Sequence, residues 1–283
     1  MNNNTIPINK AMLWILLSIL CISGSFFMGW LYYLHMKKCR LQDEQYRIIA
    51  IIQHTPQTES LKTNYLAELL NLSVDQPSNL YGFDSTRAEQ ILLKSSLLKQ
   101  ISVKKIFPSS LYIQYEMRIP IAYLGDYTNT AIDKEGYIFP CRPFFTPKRL
   151  PVFYLGLEQE KQKWGNCIQE KSSTQLAFAI WEYIQKLELP NCHVQSIDVS
   201  QAYSDHYGKR QVIVVLKEWG QEQLQQETHK LLVLLRLHPL NFKQNLVNFQ
   251  TLEQSMKAQN NCLFSDPPTV VDLRIPQLAF IKK

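Results

Sequence analysis

Glycine is scarce here, nine residues in 283. That argues against chemistry built on loops wrapped around phosphates, because close backbone approach to a phosphate rests on glycine. The sequence contains no Walker loop, no G-x-G-x-x-G, no G-x-S-x-G and no H-E-x-x-H, which removes the commonest nucleotide-binding, hydrolase and metalloprotease signatures. Its cysteines, Cys21, Cys39, Cys141, Cys167, Cys192 and Cys262, form no C-x-x-C pair. Cys192-His193 with His206 or Cys167 fits no standard zinc spacing, so these read as isolated small side chains. Disulfide pairing among the last four stays open. Asp198, Asp205 and His206 read as a solvated loop. Asp133 and Glu135 flank Lys134 and lead into Gly136, which reads as a hairpin turn rather than an acid–base pair. There are no repeats, low-complexity tracts or RNA-recognition signature. The net charge of +6 is mild and suits a soluble surface or one near an anionic membrane. The expectation is a binding or scaffold protein, not an enzyme, with no catalytic residues, metal, cofactor, small-molecule substrate or nucleic acid.

Apolar residues make up 46% of the chain and charged residues 19%, so most of it belongs to the globular class, with room for about two domains. The strongest signal is local. Ala11 to Leu34 reads AMLWILLSILCISGSFFMGWLYYL without a charge, enough at about 1.5 Å per residue to cross a bilayer. Trp14 lies near one end and Trp30, Tyr32 and Tyr33 near the other, as interfacial anchors do. The apolar run continues past Ser23-Gly24-Ser25, which reads as an uncleaved anchor rather than a signal peptide. Lys10 precedes the span and Lys37, Lys38 and Arg40 follow it. That charge pattern alone puts the large C-terminal part in the cytoplasm.

Downstream, residues 35–45 read as a linker. Tyr46–Gln53 reads as a β-branched strand. The next segment reads as a helix with Leu61, Tyr65, Leu66, Leu69 and Leu70 on one face. Thr86-Arg87-Ala88-Glu89 has the spacing of a capping box opening a second helix. QISVKKI is a strand, and Phe107-Pro108-Ser109-Ser110 a turn. In LYIQYEMR the residues Leu111, Ile113, Tyr115 and Met117 face one way, as in an antiparallel sheet covered on one side. This strand, helix, helix, strand, strand order makes a small α+β module with an open edge. From Ile119 onward, short strands alternate with turns: IAYLGDY, TAIDKEGYIFP, PVFYLG, SIDVSQAY and RQVIVVLKEW. A helix with Leu176, Ile180, Tyr183, Ile184 and Leu187 on one face interrupts them, with Ser172 and Gln175 as a cap pair. Another places Phe242, Leu246, Phe249, Leu252 and Met256 in line. PTVVDLRIPQLAFIKK closes the chain as a strand interrupted at Pro276.

The resemblance that these residues carry is to FtsQ/DivIB, the bitopic bacterial cell-division proteins. VKKIFPSSLYIQYEMRIPIAYL is similar to that family's POTRA signature, through Val103, Lys104, Phe107, Pro108, Leu111, Ile113, Arg118, Pro120 and Ala122. IDKEGYIFP resembles its D-x-x-G-x-x-F hairpin, through Asp133, Gly136 and Phe139. VVDLR resembles its closing D-L-R-Y strand, although Ile275 and Pro276 stand where the family has an aromatic and then a glycine. With the N-terminal span, these features cover nearly the whole chain in order.

The resemblance implies an α+β fold in five parts: a cytoplasmic tail (1–10), a transmembrane helix (11–34), a linker (35–45), a POTRA-like β-α-α-β-β domain (46–118) and a mixed β domain with flanking helices (119–283). It implies a single-pass inner-membrane protein at the division septum with its bulk outside the cytoplasm, against the flanking charges. It implies a non-enzymatic divisome scaffold that binds FtsB-type and FtsL-type bitopic proteins and, through them, controls an FtsW/FtsI-type septal peptidoglycan synthase. The expected partner edge is Val270 to Ile281, with Val271, Asp272, Leu273, Arg274, Ile275 and Leu278 as contacts and Arg274 as charged anchor. The alternative is a POTRA-bearing envelope assembly or transport factor.

Overall fold

The computed structural model describes residues 8–73, 77–157, 160–187, 189, 192–218, 231–259 and 262–282, with side chains from residue 12 onward. It is a mixed α+β protein with one N-terminal apolar helix and one large mixed β-sheet. Two compact units divide the chain. One takes in the residues up to Leu92 with Gln100–Tyr115, the other Leu93–Lys99 with Glu116–Lys283.

The first unit begins with α1 (Ile8–Gln42). The stretch Met12–Gln42 is long and apolar enough to cross a membrane, with a mean hydropathy of 2.0 over an 18-residue window that is not buried in protein. Its serines are satisfied locally: the hydroxyls of Ser18, Ser23 and Ser25 donate to the carbonyls of Ile15, Leu20 and Cys21 at 2.8, 3.1 and 2.8 Å. An apolar helix can thus carry them without orphaned polar groups. The helix runs on to Gln42 through residues expected as a linker; no glycine or proline stops it there. The expected tail lies outside the described residues before Ile8.

After α1 come β1 (Ala50–His54), α2 (Thr63–Leu69), α3 (Ser85–Leu93), β2 (Leu98–Ile106) and β3 (Ser110–Met117). The strands form a sheet of order β1-β3-β2. β3 buries Leu111, Ile113, Tyr115 and Met117, the face expected from the alternation. β1 pairs with β3 in parallel, Ala50 opposite Ser110, so the sheet is not wholly antiparallel. The two helices between β1 and the β2–β3 hairpin return the chain in the direction that a parallel pair requires. The Tyr115 hydroxyl accepts from Leu61 N at 2.8 Å and lies 2.9 Å from the Gln53 amide, tying β3 to β1 and to the approach to α2. Burial pushes the phenol pKa up, against the opposing pull of the Leu61 hydrogen bond.

The cap of α3 is not the expected box. Asp84 accepts from the backbone N–H groups of Thr86 and Arg87 at 3.0 and 3.1 Å and from the Thr86 hydroxyl at 2.6 Å. Glu89 instead accepts from Val103 N on β2 at 2.7 Å. Asp84 wins because its carboxylate reaches two orphaned donors of the first turn at once.

The second unit is built on a nine-stranded sheet. Its strands are β4 (Pro120–Leu124), β5 (Thr130–Asp133), β6 (Ile138–Pro140), β7 (Val152–Tyr154), β8 (Cys192–Asp198), β9 (Val212–Glu218), β10 (Leu232–Leu237), β11 (Thr269–Asp272) and β12 (Phe280–Lys282). They lie in the order β12-β11-β10-β9-β8-β7-β4-β5-β6. The parallel neighbours β7/β8 and β10/β11 are joined by α4 (Ser172–Lys186) and α5 (Phe242–Ala258), because a parallel pair needs a long crossover. Both helices lie together, the Tyr183 and Phe242 rings meeting edge to face at 6.2 Å. They bury Leu176, Ile180 and Ile184, and Phe242, Leu246 and Phe249, on one core with the sheet. Leu252, Met256, Tyr183 and Leu187 pack at its margin. No side chain caps α4, whose N-cap position is Lys171; the Ser172–Gln175 cap pair does not form, because both residues already lie within the helix. The expected RQVIVVLKEW strand ends at Glu218; Trp219 lies outside the described residues. β10 was not anticipated, and it supplies Val233, Leu235 and Leu237 to the core.

Candidate partner-binding edge

The C-terminal stretch was expected to be one edge strand broken at Pro276. It is instead a hairpin. β11 pairs on one side with β10, Leu235 opposite Val271, and on the other with β12, Val271 opposite Ile281. Proline lacks the N–H that a strand needs, and Pro276 falls in the turn. Gln277 completes the reversal at φ +62°, and Leu278 N donates to Ile275 O at 3.3 Å. This end of the sheet is therefore β12, whose outer side has no strand partner among the described residues.

Burial divides the residues expected as contacts. Val271 and Leu273 are core residues, fully or almost fully buried; Leu273 N donates to Arg236 O at 2.9 Å. They support the edge from behind. Asp272 and Arg274 hold each other: Nε and Nη2 of Arg274 donate to Oδ1 and Oδ2 of Asp272 at 3.0 and 2.7 Å, and Arg274 Nη1 reaches Gly208 O at 3.4 Å. Burial raises the Asp272 carboxyl pKa, yet the hydrogen bonds and charge of Arg274, with Arg236 nearby, outweigh it and hold the group below its usual range. Arg274 is thus committed within its own chain. Ile275 and Leu278 stand out at 50% and 55% exposure, and beside them Phe280 at 55% and Ile281 at 39%. Phe280 and Ile281 are the edge residues missing from the expected contacts. Leu278 and Leu273 also line a groove of about 700 Å3 between the hairpin and α5, whose other wall carries Asn241, Gln244 and Asn248.

The hairpin and signature residues meet at a second locus. Asp133 ends β5, and its Oδ1 accepts from the backbone N–H groups of Glu135 and Tyr137 at 3.0 and 2.8 Å. Its Oδ2 accepts from Arg118 at 2.7 Å. The Arg118 guanidinium lies 3.7 Å from the centre of the Tyr137 ring. Gly136 turns the chain at φ +82°. A Cβ there would meet Gln169 N at 2.8 Å. Phe139 is fully buried, and Pro120 opens β4 opposite Asp133. Glu135 bridges outward to Lys99 at 2.5 Å; that hydrogen bond lowers the carboxyl pKa and raises that of the ammonium. Phe107, followed by Pro108, belongs to the first unit, its ring 5.1 Å from that of Tyr81.

The Asp133 carboxylate is filled by donors on both oxygens. No disulfide joins any of the six cysteines, and the Cys192 thiol is pushed up to about 12 by burial and by the charge of Glu253, so it stays protonated near neutral pH. Among the described residues, no three or more His, Cys, Asp or Glu side chains gather as a metal site. Neither a family model nor a curated protein matches this chain.

Proposed function

We propose that this chain is a membrane-anchored scaffold of the bacterial division machinery, of the FtsQ/DivIB kind, that captures a partner strand on β12. The observation that carries this reading is the outer edge of β12 at the end of the nine-stranded sheet, unpaired among the described residues, with Ile275, Leu278, Phe280 and Ile281 exposed around it. An unpaired edge presents a row of N–H and C=O groups, and strand addition uses these for affinity and the flanking side chains for register. On this reading the β1-β3-β2 unit with its two helices is a POTRA-like module. The large sheet lies outside the cytoplasm, and the partners are FtsB-type and FtsL-type bitopic proteins that act on an FtsW/FtsI-type synthase. Arg274 then shapes the hairpin instead of anchoring the partner. Anchoring by α1 confines the encounter to two dimensions and raises the effective concentration of partners.

The test is a fusion of a reporter active only outside the cytoplasm after Lys283, combined with affinity capture of the full chain from bacterial membranes. An active reporter and enrichment of FtsB-type and FtsL-type proteins support the reading. A stable but inactive fusion refutes the topology, and capture of a β-barrel assembly or transport complex in their place refutes the division role.

A further inference from the structure

The end of α1 is fastened to the first unit by a chain of aromatic and basic side chains that the scaffold role leaves unexplained. Asn79 Nδ2 donates to Arg40 O at 2.9 Å. The Arg40 guanidinium lies over Tyr81 at 5.3 Å from the ring centre. Tyr81 in turn meets Tyr46 edge to face at 4.8 Å and Phe107 at 5.1 Å. Phe107 nonetheless keeps 54% of its surface exposed, and Ile49 keeps 80%. These two are neighbours in the fold, since Ile49 N donates to Ser109 O at 2.9 Å just before β1 joins β3. One end of the small sheet, the end at which the chain leaves the helix, therefore shows apolar side chains to its surroundings.

Distance along the helix puts this end at a defined depth. From Leu34, the last residue of the apolar run, to Arg40 is roughly 9 Å at about 1.5 Å per residue. The headgroup layer on one side of a bilayer is roughly 5–8 Å thick. Helical side chains lean toward the N-terminus, which brings Arg40 and the Tyr81 ring back toward that layer. Lys37 lies one turn before Arg40 on the same face, and Lys38 is beside it. The nearby acids are engaged: Glu44 pairs with Arg47 at 2.7 Å and Asp43 accepts from Gln45 N at 3.0 Å.

We propose that Phe107 and Ile49, with Lys37, Lys38 and Arg40, form a collar that seats the first unit on anionic phospholipid headgroups. The cations face the phosphates, and the two exposed apolar side chains enter the interfacial layer. The proposal rests on the reading that α1 crosses the membrane. It gives the cations after the span a role separate from topology.

Amide hydrogen exchange on the full chain in nanodiscs tests it. In discs containing phosphatidylglycerol, amides between Lys104 and Ser110 are expected to exchange roughly tenfold more slowly than in phosphatidylcholine discs, since each basic side chain contributes on the order of a few-fold to anionic-surface binding. The difference should vanish at about 1 M salt, where screening acts within roughly 3 Å. It should also shrink in Lys37→Gln/Lys38→Gln and in Phe107→Ser. The lysine pair lies on the exposed helix surface, so its loss leaves the fold intact. Equal exchange in the two discs, or a difference untouched by all three changes, overturns the proposal. If the amides of α1 themselves exchange freely in the discs, the membrane span has failed and the collar with it.

Discussion

Arg118 Nη1 donates to Asp133 Oδ2 across 2.7 Å, with only 11% and 7% of the two side chains exposed. This ion pair joins the segment that enters β4 to the turn after β5, and the Tyr137 ring closes over the guanidinium. The cation has Asp133 as its near partner and Glu135 Oε2 at 3.5 Å, and the buried anion has three donors. Removing either side chain takes from the other its nearest opposite charge in a poorly solvating site.

Arg118→Ala and Asp133→Ala should each lower stability by about 3–5 kcal/mol. A double-mutant cycle followed by urea unfolding should return a coupling of at least about 1 kcal/mol, the range for contacting residues. Additive effects would show that the pair is incidental to the fold.

Gly136→Ala tests the turn beside it. At φ +82° an L side chain is strained, and the new Cβ would sit 2.8 Å from Gln169 N and 2.9 Å from its Cα, atoms that cannot rotate away. A loss of about 1–3 kcal/mol is expected, visible as a lower urea midpoint with an unchanged slope. A neutral substitution would mean that the Gln169 segment yields easily.

The pH response of the C-terminal hairpin follows from Asp272. Its carboxyl is raised by burial but held below the usual range by Arg274. A carboxylate with a depressed folded pKa contributes stability that is present above the unfolded value and lost as pH falls through the folded one. Amide exchange across Val270–Lys282 should therefore stay slow through the ordinary carboxylate range near 3.8 and rise only below it. Arg274→Gln should bring that rise up into the ordinary range. An acid response unaffected by the substitution would mean that another group controls the hairpin.

Where a periodic pattern had one dominant partner, the sequence was enough. Leu111, Ile113, Tyr115 and Met117 bury as their alternation requires, and the apolar faces of α4 and α5 reach the core. Three features depended on something the pattern does not carry. β10 has apolar residues on both faces, so LVLLRL shows no alternation to mark it as a strand. The α3 cap was a contest between Asp84 and Thr86, both good capping residues, which Asp84 wins by reaching the N–H groups of Thr86 and Arg87 together while Glu89 turns to Val103 N. The terminal hairpin required Gln277 to adopt a left-handed conformation, which residues other than glycine rarely signal. Arg118 and Asp133 were each recognisable as motif residues, but their pairing depends on the register that sets Asp133 opposite Pro120.

The central claim is that the outer edge of β12 captures a partner strand. Successive residues of a strand point their N–H and C=O groups to opposite sides, so one of Phe280 and Ile281 directs them outward. The direct measurement is the affinity of the full chain for the extracytoplasmic part of an FtsB-type protein from the same organism, compared for Phe280→Pro and Ile281→Pro, with the melting temperature of each variant. One of the two prolines is expected to weaken binding at least tenfold, equivalent to about 1.4 kcal/mol, while leaving the melting temperature in place. Unchanged affinity in both variants would contradict it.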